Sequence, residues 1–85
     1  MSIDAALVRE QGVTFAVVAV KSHVLAASNR DAVARSLGDH WGGVPVVLMA
    51  KERRGTAKFY GRSDLVQFLR HVPLGALPWK SWRLS

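Results

Sequence analysis

The sequence predicts a single α/β (α+β) domain, a two-layer sandwich on a mixed sheet of three or four strands. Three observations carry that prediction. Two β-branched apolar runs, Val13 to Val20 and Val44 to Ala50, flank a stretch of helical periodicity. A charged, Gly-containing turn at 52–55 then returns the chain into a third short strand, Thr56 to Tyr60. A capped amphipathic helix follows it. The core is therefore β-α-β-β-α over 13–72, with a short N-terminal helix inside 1–12 and an irregular tail at 73–85. A chain of 85 residues holds one domain and one small core, since at this length only about 60–65% of the unfolded surface is buried. So small a core makes a homodimer that shares apolar surface an open alternative.

Each element has a local reason. Ser2 can cap a helix in which Ile3, Ala6, Leu7 and Glu10 fall at helical spacing, with Gly12 as its stop. Val13 to Val20 is too continuously apolar for a strand with one wet side, so it belongs in the middle of a sheet. Residues 23–27 read equally as loop, strand extension or early helix. Ser28 with Asp31 has the spacing of a capping box, Val33, Ala34 and Leu37 supply the buried face, and Gly38 is the stop. Pro45 fits the entry of the second strand. Ser63 or Asp64, the latter with Gln67, caps the last helix; its stripe is Leu65, Phe68, Leu69 and Val72, and Pro73 ends it. The first two core strands should be parallel through a crossover and the last two an antiparallel hairpin, with both longer helices on one face.

Charge divides the chain. Residues 1–50 carry four basic and four acidic groups; residues 51–85 carry eight basic groups against two acidic ones, which is the whole of the +6. A positive field of this kind attracts nucleic acid, phosphate groups or acidic proteins. With no cysteine, disulfides, thiolate nucleophiles and the usual zinc cages are excluded. The opening Ser2-Ile3-Asp4 lacks the basic region of a signal peptide, and the longest apolar run, Phe15 to Val20, is far short of the roughly 20 residues of a membrane span. The expectation is a soluble cytoplasmic protein with no membrane partner.

Three resemblances attach to particular residues. Residues 13–71, with Gly43-Val44-Pro45 opening a strand, resemble the second half of a thioredoxin-type fold, which implies a cis proline; the CxxC of that family is absent. Arg54-Gly55-Thr56-Ala57-Lys58-Phe59-Tyr60, with Phe15, partly resembles the signatures of the RNA recognition motif, but Thr56 and Lys58 stand where that family places stacking rings. Tyr60-Gly61-Arg62-Ser63-Asp64-Leu65-Val66-Gln67-Phe68-Leu69 and Pro78-Trp79-Lys80 resemble short uncharacterised proteins of GC-rich bacteria. That last resemblance implies a free-standing bacterial protein and carries no activity.

The candidate binding residues are Lys51, Arg53 and Arg54 at the hairpin tip, Lys58, Tyr60 and Arg62 alternating along the third strand, and Trp79, Lys80, Trp82 and Arg83 in the tail. Rings beside cations suit single-stranded nucleic acid, because bases stack while phosphates pair. The same residues have ordinary uses: charged tips and edge lysines keep sheets soluble, and tryptophans plug small cores. The tail can equally anchor a protein partner or fold back over its own domain. His23, His40 and His71 lack metal-ligand spacing, Ser22-His23 are adjacent and ill-placed as nucleophile and base, and Gly42-Gly43 precedes a strand rather than a phosphate-binding helix. No catalytic residue, metal site or cofactor is expected. The sequence reads as a small basic binding module for nucleic acid or another polyanion, with a protein-interaction or homodimerisation module as the alternative.

Overall fold

The computed structural model describes residues 2–10, 12–52 and 56–83. Val13–Ala19 forms strand β2, and the side chains from Phe15 to Val18 are completely buried, as its unbroken apolar run demands. Two short helices follow, α1 (Ser22–Ala26) and α2 (Arg30–Gly38), and they lead to β3 (Val46–Lys51). β3 lies parallel to β2, with Ala16 opposite Val46 and Ala19 opposite Met49. Antiparallel β4 (Ala57–Tyr60) pairs with β3 from Leu48–Tyr60 to Lys51–Ala57, and α3 (Ser63–Leu69) comes next. The α/β class, the mixed sheet, the parallel crossover and the antiparallel hairpin are all present.

Both ends of the chain differ from expectation. The predicted N-terminal helix is a strand, β1 (Ser2–Glu10), antiparallel to β2 from Ala5–Val18 to Glu10–Val13. Ala5 and Ala6 are both fully buried because the two faces of β1 are both covered, which hides strand alternation behind spacing that suits a helix equally well. Gly12 does not stop a helix; it takes φ +79° in the tight β1–β2 connection. The predicted irregular tail contains β5 (Trp79–Arg83), antiparallel to the other edge of β1 from Ser2–Arg83 to Ala6–Trp79. Pro78 falls just before that strand, where its missing N–H costs no ladder bond. The sheet therefore has five strands in the order β4-β3-β2-β1-β5.

The layers differ as well. Phe15, Val17, Val47 and Met49 pack with Leu65, Val66 and Leu69 of α3 on one face, where the Phe15 and Phe68 rings meet edge to face at 6.3 Å. Ala16, Val18, Val46 and Leu48 lie on the other face under Val24 and Leu25 of α1 and Ala34 and Leu37 of α2. The helices thus cover opposite faces in three layers, rather than one face in two. Burying each large core side chain contributes about 1.5–3 kcal/mol, and neither face of an all-apolar strand can be left wet at that scale.

Local capping also departs from the sequence reading. The N-caps of α2 and α3 are Asn29 and Arg62, and neither uses a side-chain cap bond. The carboxylates expected to close capping boxes serve elsewhere: Asp31 accepts from Tyr60 and Asp64 from Arg62. Gly38 remains helical, and a 3₁₀ turn (Asp39–Trp41) carries the chain to Gly42 at φ +75°. The Pro45 peptide is trans, unlike that of the thioredoxin-type resemblance. Among the described residues no helix is long and apolar enough to cross a membrane.

Candidate functional site

Parallel pairing brings the carboxyl ends of β2 and β3 to the same end of the sheet. Lys21 and Lys51 each stand two residues past the Ala19–Met49 pair, the last of the ladder, and both line a groove at that end of the sheet. Val20 N–H donates to Met49 C=O at 2.8 Å, and Lys21 keeps an extended backbone before α1 begins. β1 starts at the same end with Ser2, Ile3 and Asp4, and β5 finishes there with Arg83 opposite Ser2.

These strand ends enclose an open groove of about 830 Å³. Ile3, Ala19, Val20 and Met49 supply its apolar lining, while Asp4, Lys21, Ser22, His23 and Lys51 supply the polar one. A smaller hollow of about 260 Å³ shares Asp4, Ala19, Met49 and Lys51 and is closed by Leu74, Gly75 and Trp79. Among the described residues the ion pairs are Lys58–Glu52 and Arg62–Asp64, so neither Lys21 nor Lys51 has a carboxylate partner there. Two like charges in one groove repel each other, and an anion between them relieves that repulsion; Asp4 lines the same groove but forms no ion pair with either lysine among the described residues.

The sequence-predicted residues do not form one basic face. Lys51 stands in the groove, while Arg53 and Arg54 lie outside the described residues. Lys58 pairs with Glu52 at 3.7 Å. Tyr60 donates its hydroxyl to Asp31 at 2.6 Å, and the Arg30 guanidinium sits 3.9 Å from the centre of its ring. Arg62 donates twice to Asp64, at 3.1 and 2.7 Å. That hydrogen bond raises the Arg62 pKa and holds the Asp64 carboxyl below the usual range.

The tail docks on its own domain. Trp79 donates its indole N–H to Leu74 C=O at 2.8 Å, and Trp82 donates to Ala5 C=O at 3.1 Å. The Trp82 ring meets Trp41 edge to face at 5.4 Å, and Lys80 lies 5.4 Å from its centre. Only Arg83, exposed at the end of β5, brings the tail's charge to the groove end of the sheet. β4 and β5 are opposite edges, four strand spacings or about 19 Å apart, so the β4 cations and the tail stand on opposite sides of the sheet.

Lys21, Asp4, Ser22 and His23 are the groove residues that sequence reasoning missed. Their signal is positional: Lys21 and Lys51 each stand at the exit of an apolar run, and a crossover makes the two runs parallel. Among the described residues no cluster of three or more His, Asp or Glu side chains is placed to hold a metal. Compared with protein-family models, curated proteins and solved structures, the chain finds no match.

Proposed function

We propose that the chain is a small binding module for nucleic acid or another polyanion, acting in the cytoplasm and not as an enzyme. The observation that carries this reading is the pair of lysines, Lys21 and Lys51, that line one groove two residues past the last β2–β3 pair and form no ion pair among the described residues. Arg53 and Arg54 follow Lys51 closely in the chain, and Arg83 ends β5 at the same end of the sheet. Because Trp79 and Trp82 are engaged within the domain, the reading rests on phosphate charge and not on base stacking.

Fluorescence anisotropy of labelled single-stranded RNA and duplex DNA, titrated with salt, tests it. Binding should weaken steeply with salt, with unquenched Trp emission. Lys21→Ala plus Lys51→Ala should flatten the slope by about 1.4 on single strands and about 1.8 on duplex. Absence of binding at low salt, or an unchanged slope in the double variant, refutes the reading. A second reading, a protein-interaction or homodimerisation module, draws on the two open sheet edges, β4 and β5. Lys58 and Lys80 on those edges work against edge-to-edge pairing, and a molar mass that rises with concentration in light scattering would favour this reading over the first.

A further inference from the structure

We propose that the groove at the carboxyl ends of β2 and β3 binds a nucleoside monophosphate group, either as a free nucleotide or as the phosphorylated end of a strand. The proposal narrows the anion-binding reading to a ligand and rests on it for its phosphate-holding lysines. The groove lies outside the carboxyl ends of the two parallel strands, β2 and β3, the end of the sheet at which open α/β sheets hold their ligands. The groove volume of about 830 Å³ falls in the range of small-molecule sites.

Three chemical features of the groove match three parts of such a ligand. Lys21 and Lys51 offer two ammonium groups with no carboxylate partner among the described residues, and Ser22 adds a hydroxyl beside them. Together they suit a phosphate dianion. Ala19 of the groove, with Leu74 and Trp79 of the adjoining hollow, all half-buried on the α3 face, provides an apolar surface that a flat base can cover but that leaves a sugar phosphate or a bare phosphate without contact. Asp4, an exposed carboxylate on β1, is an acceptor for ribose hydroxyls or an exocyclic amine. β1 and β3 are the two neighbours of β2, so Asp4 and Lys51 start from strands about 10 Å apart. One nucleotide spans that separation from phosphate to base edge.

Backbone-amide NMR with adenosine monophosphate, adenosine, inorganic phosphate and ribose 5-phosphate tests the proposal on the full chain. Adenosine monophosphate should shift the amides of Val20 to Val24 and Lys51 and bind about tenfold tighter than any of the three fragments. Lys51→Gln should weaken it about tenfold, the effect of one charge-assisted contact, while Lys58→Gln, outside the groove, should leave it unchanged. Circular dichroism confirms that each variant is folded.

Competition by an oligonucleotide carrying a 5′-phosphate, but not by its 5′-hydroxyl twin, assigns the group to a strand end; competition by neither assigns it to the free nucleotide. Adenosine monophosphate binding no better than inorganic phosphate, shifts confined to another surface, or full affinity in Lys51→Gln overturns the groove assignment. The two readings fail separately. Flat oligonucleotide anisotropy at low salt with intact groove shifts removes the polyanion reading alone, and salt-dependent oligonucleotide binding with an unperturbed groove removes the nucleotide site alone.

Discussion

Replacing Gly38 by alanine adds one methyl group where the end of α2 meets the entry to β3. A Cβ at that position lies 2.6 Å from the carbonyl oxygen of Val44 and 3.3 Å from Cγ2 of Val46. Carbon–oxygen contacts settle at about 3.3–3.6 Å, so the new atom intrudes by about 0.7–1.0 Å on a backbone group. The backbone cannot rotate away as a flexible side chain would, and the Gly43 N–H to Gly38 C=O bond of 2.9 Å ties the loop to the same place. Overpacking of this kind costs about 1–3 kcal/mol. Against it stands the helix preference for alanine over glycine, about 1 kcal/mol. The net expectation is a destabilisation of up to about 2 kcal/mol, a fall in Tm of up to roughly 16 °C for a domain of this size. Urea unfolding followed by circular dichroism measures it. Gly75→Ala is the control, since a Cβ at that position meets nothing within 4 Å and its φ is not positive; it should stay within about 0.5 kcal/mol of the parent. If Gly38→Ala is more stable than the parent, with an unchanged m-value, the close approach is wrong and Gly38 serves only as a poor helix former.

Two further outcomes probe the tail and the α3 entry. Trp82→Phe removes the indole donor from Ala5 C=O while keeping a ring against Trp41, and should cost about 1 kcal/mol; in a double-mutant cycle with Trp41→Ala, Trp82→Ala should show a coupling of about 0.5–1.5 kcal/mol. Zero coupling would mean that the two rings do not meet in solution. Carbon-detected NMR should find the Asp64 carboxyl titrating below the ordinary aspartate value, and Arg62→Ala should raise it, because the Arg62 hydrogen bond favours the charged form. A folded-state pKa depressed in this way contributes stability above the ordinary carboxylate range, and that contribution is lost as pH falls through the lowered value. Both partners are exposed, so the effect on unfolding should be small and should shrink with salt; an Asp64 pKa unmoved by Arg62→Ala would refute the pairing.

The interior strands are legible from the chain alone because their chemistry leaves one solution. Val13–Ala19 and Val46–Lys51 are too apolar for an edge, so a central position in the sheet follows directly and the helical stretch between them dictates a parallel crossover. The placing of helices on opposite faces is decided by tertiary packing. Ser2–Glu10 is not legible, since Ile3, Ala6 and Leu7 suit a helix face as well as a strand covered on both sides. Pairing with β2 and β5 chose the strand. Trp79 and Trp82 are recognisable as important rings, but whether they stack on a ligand or close the domain depends on Leu74 and Ala5, whose carbonyls they reach.

Charge shows the same division. The sequence by itself determined the excess of cations and its place in the last 35 residues. Tertiary structure decided which of them are free to act. Glu52 and Asp64 occupy Lys58 and Arg62, the opposite sheet edges separate β4 from the tail, and Lys21, from the neutral half of the chain, lines one groove with Lys51. The physical reason is that net charge is a sum over the chain, whereas an anion site is a local arrangement. Strand order and register set that arrangement, and they join residues that the sequence keeps far apart.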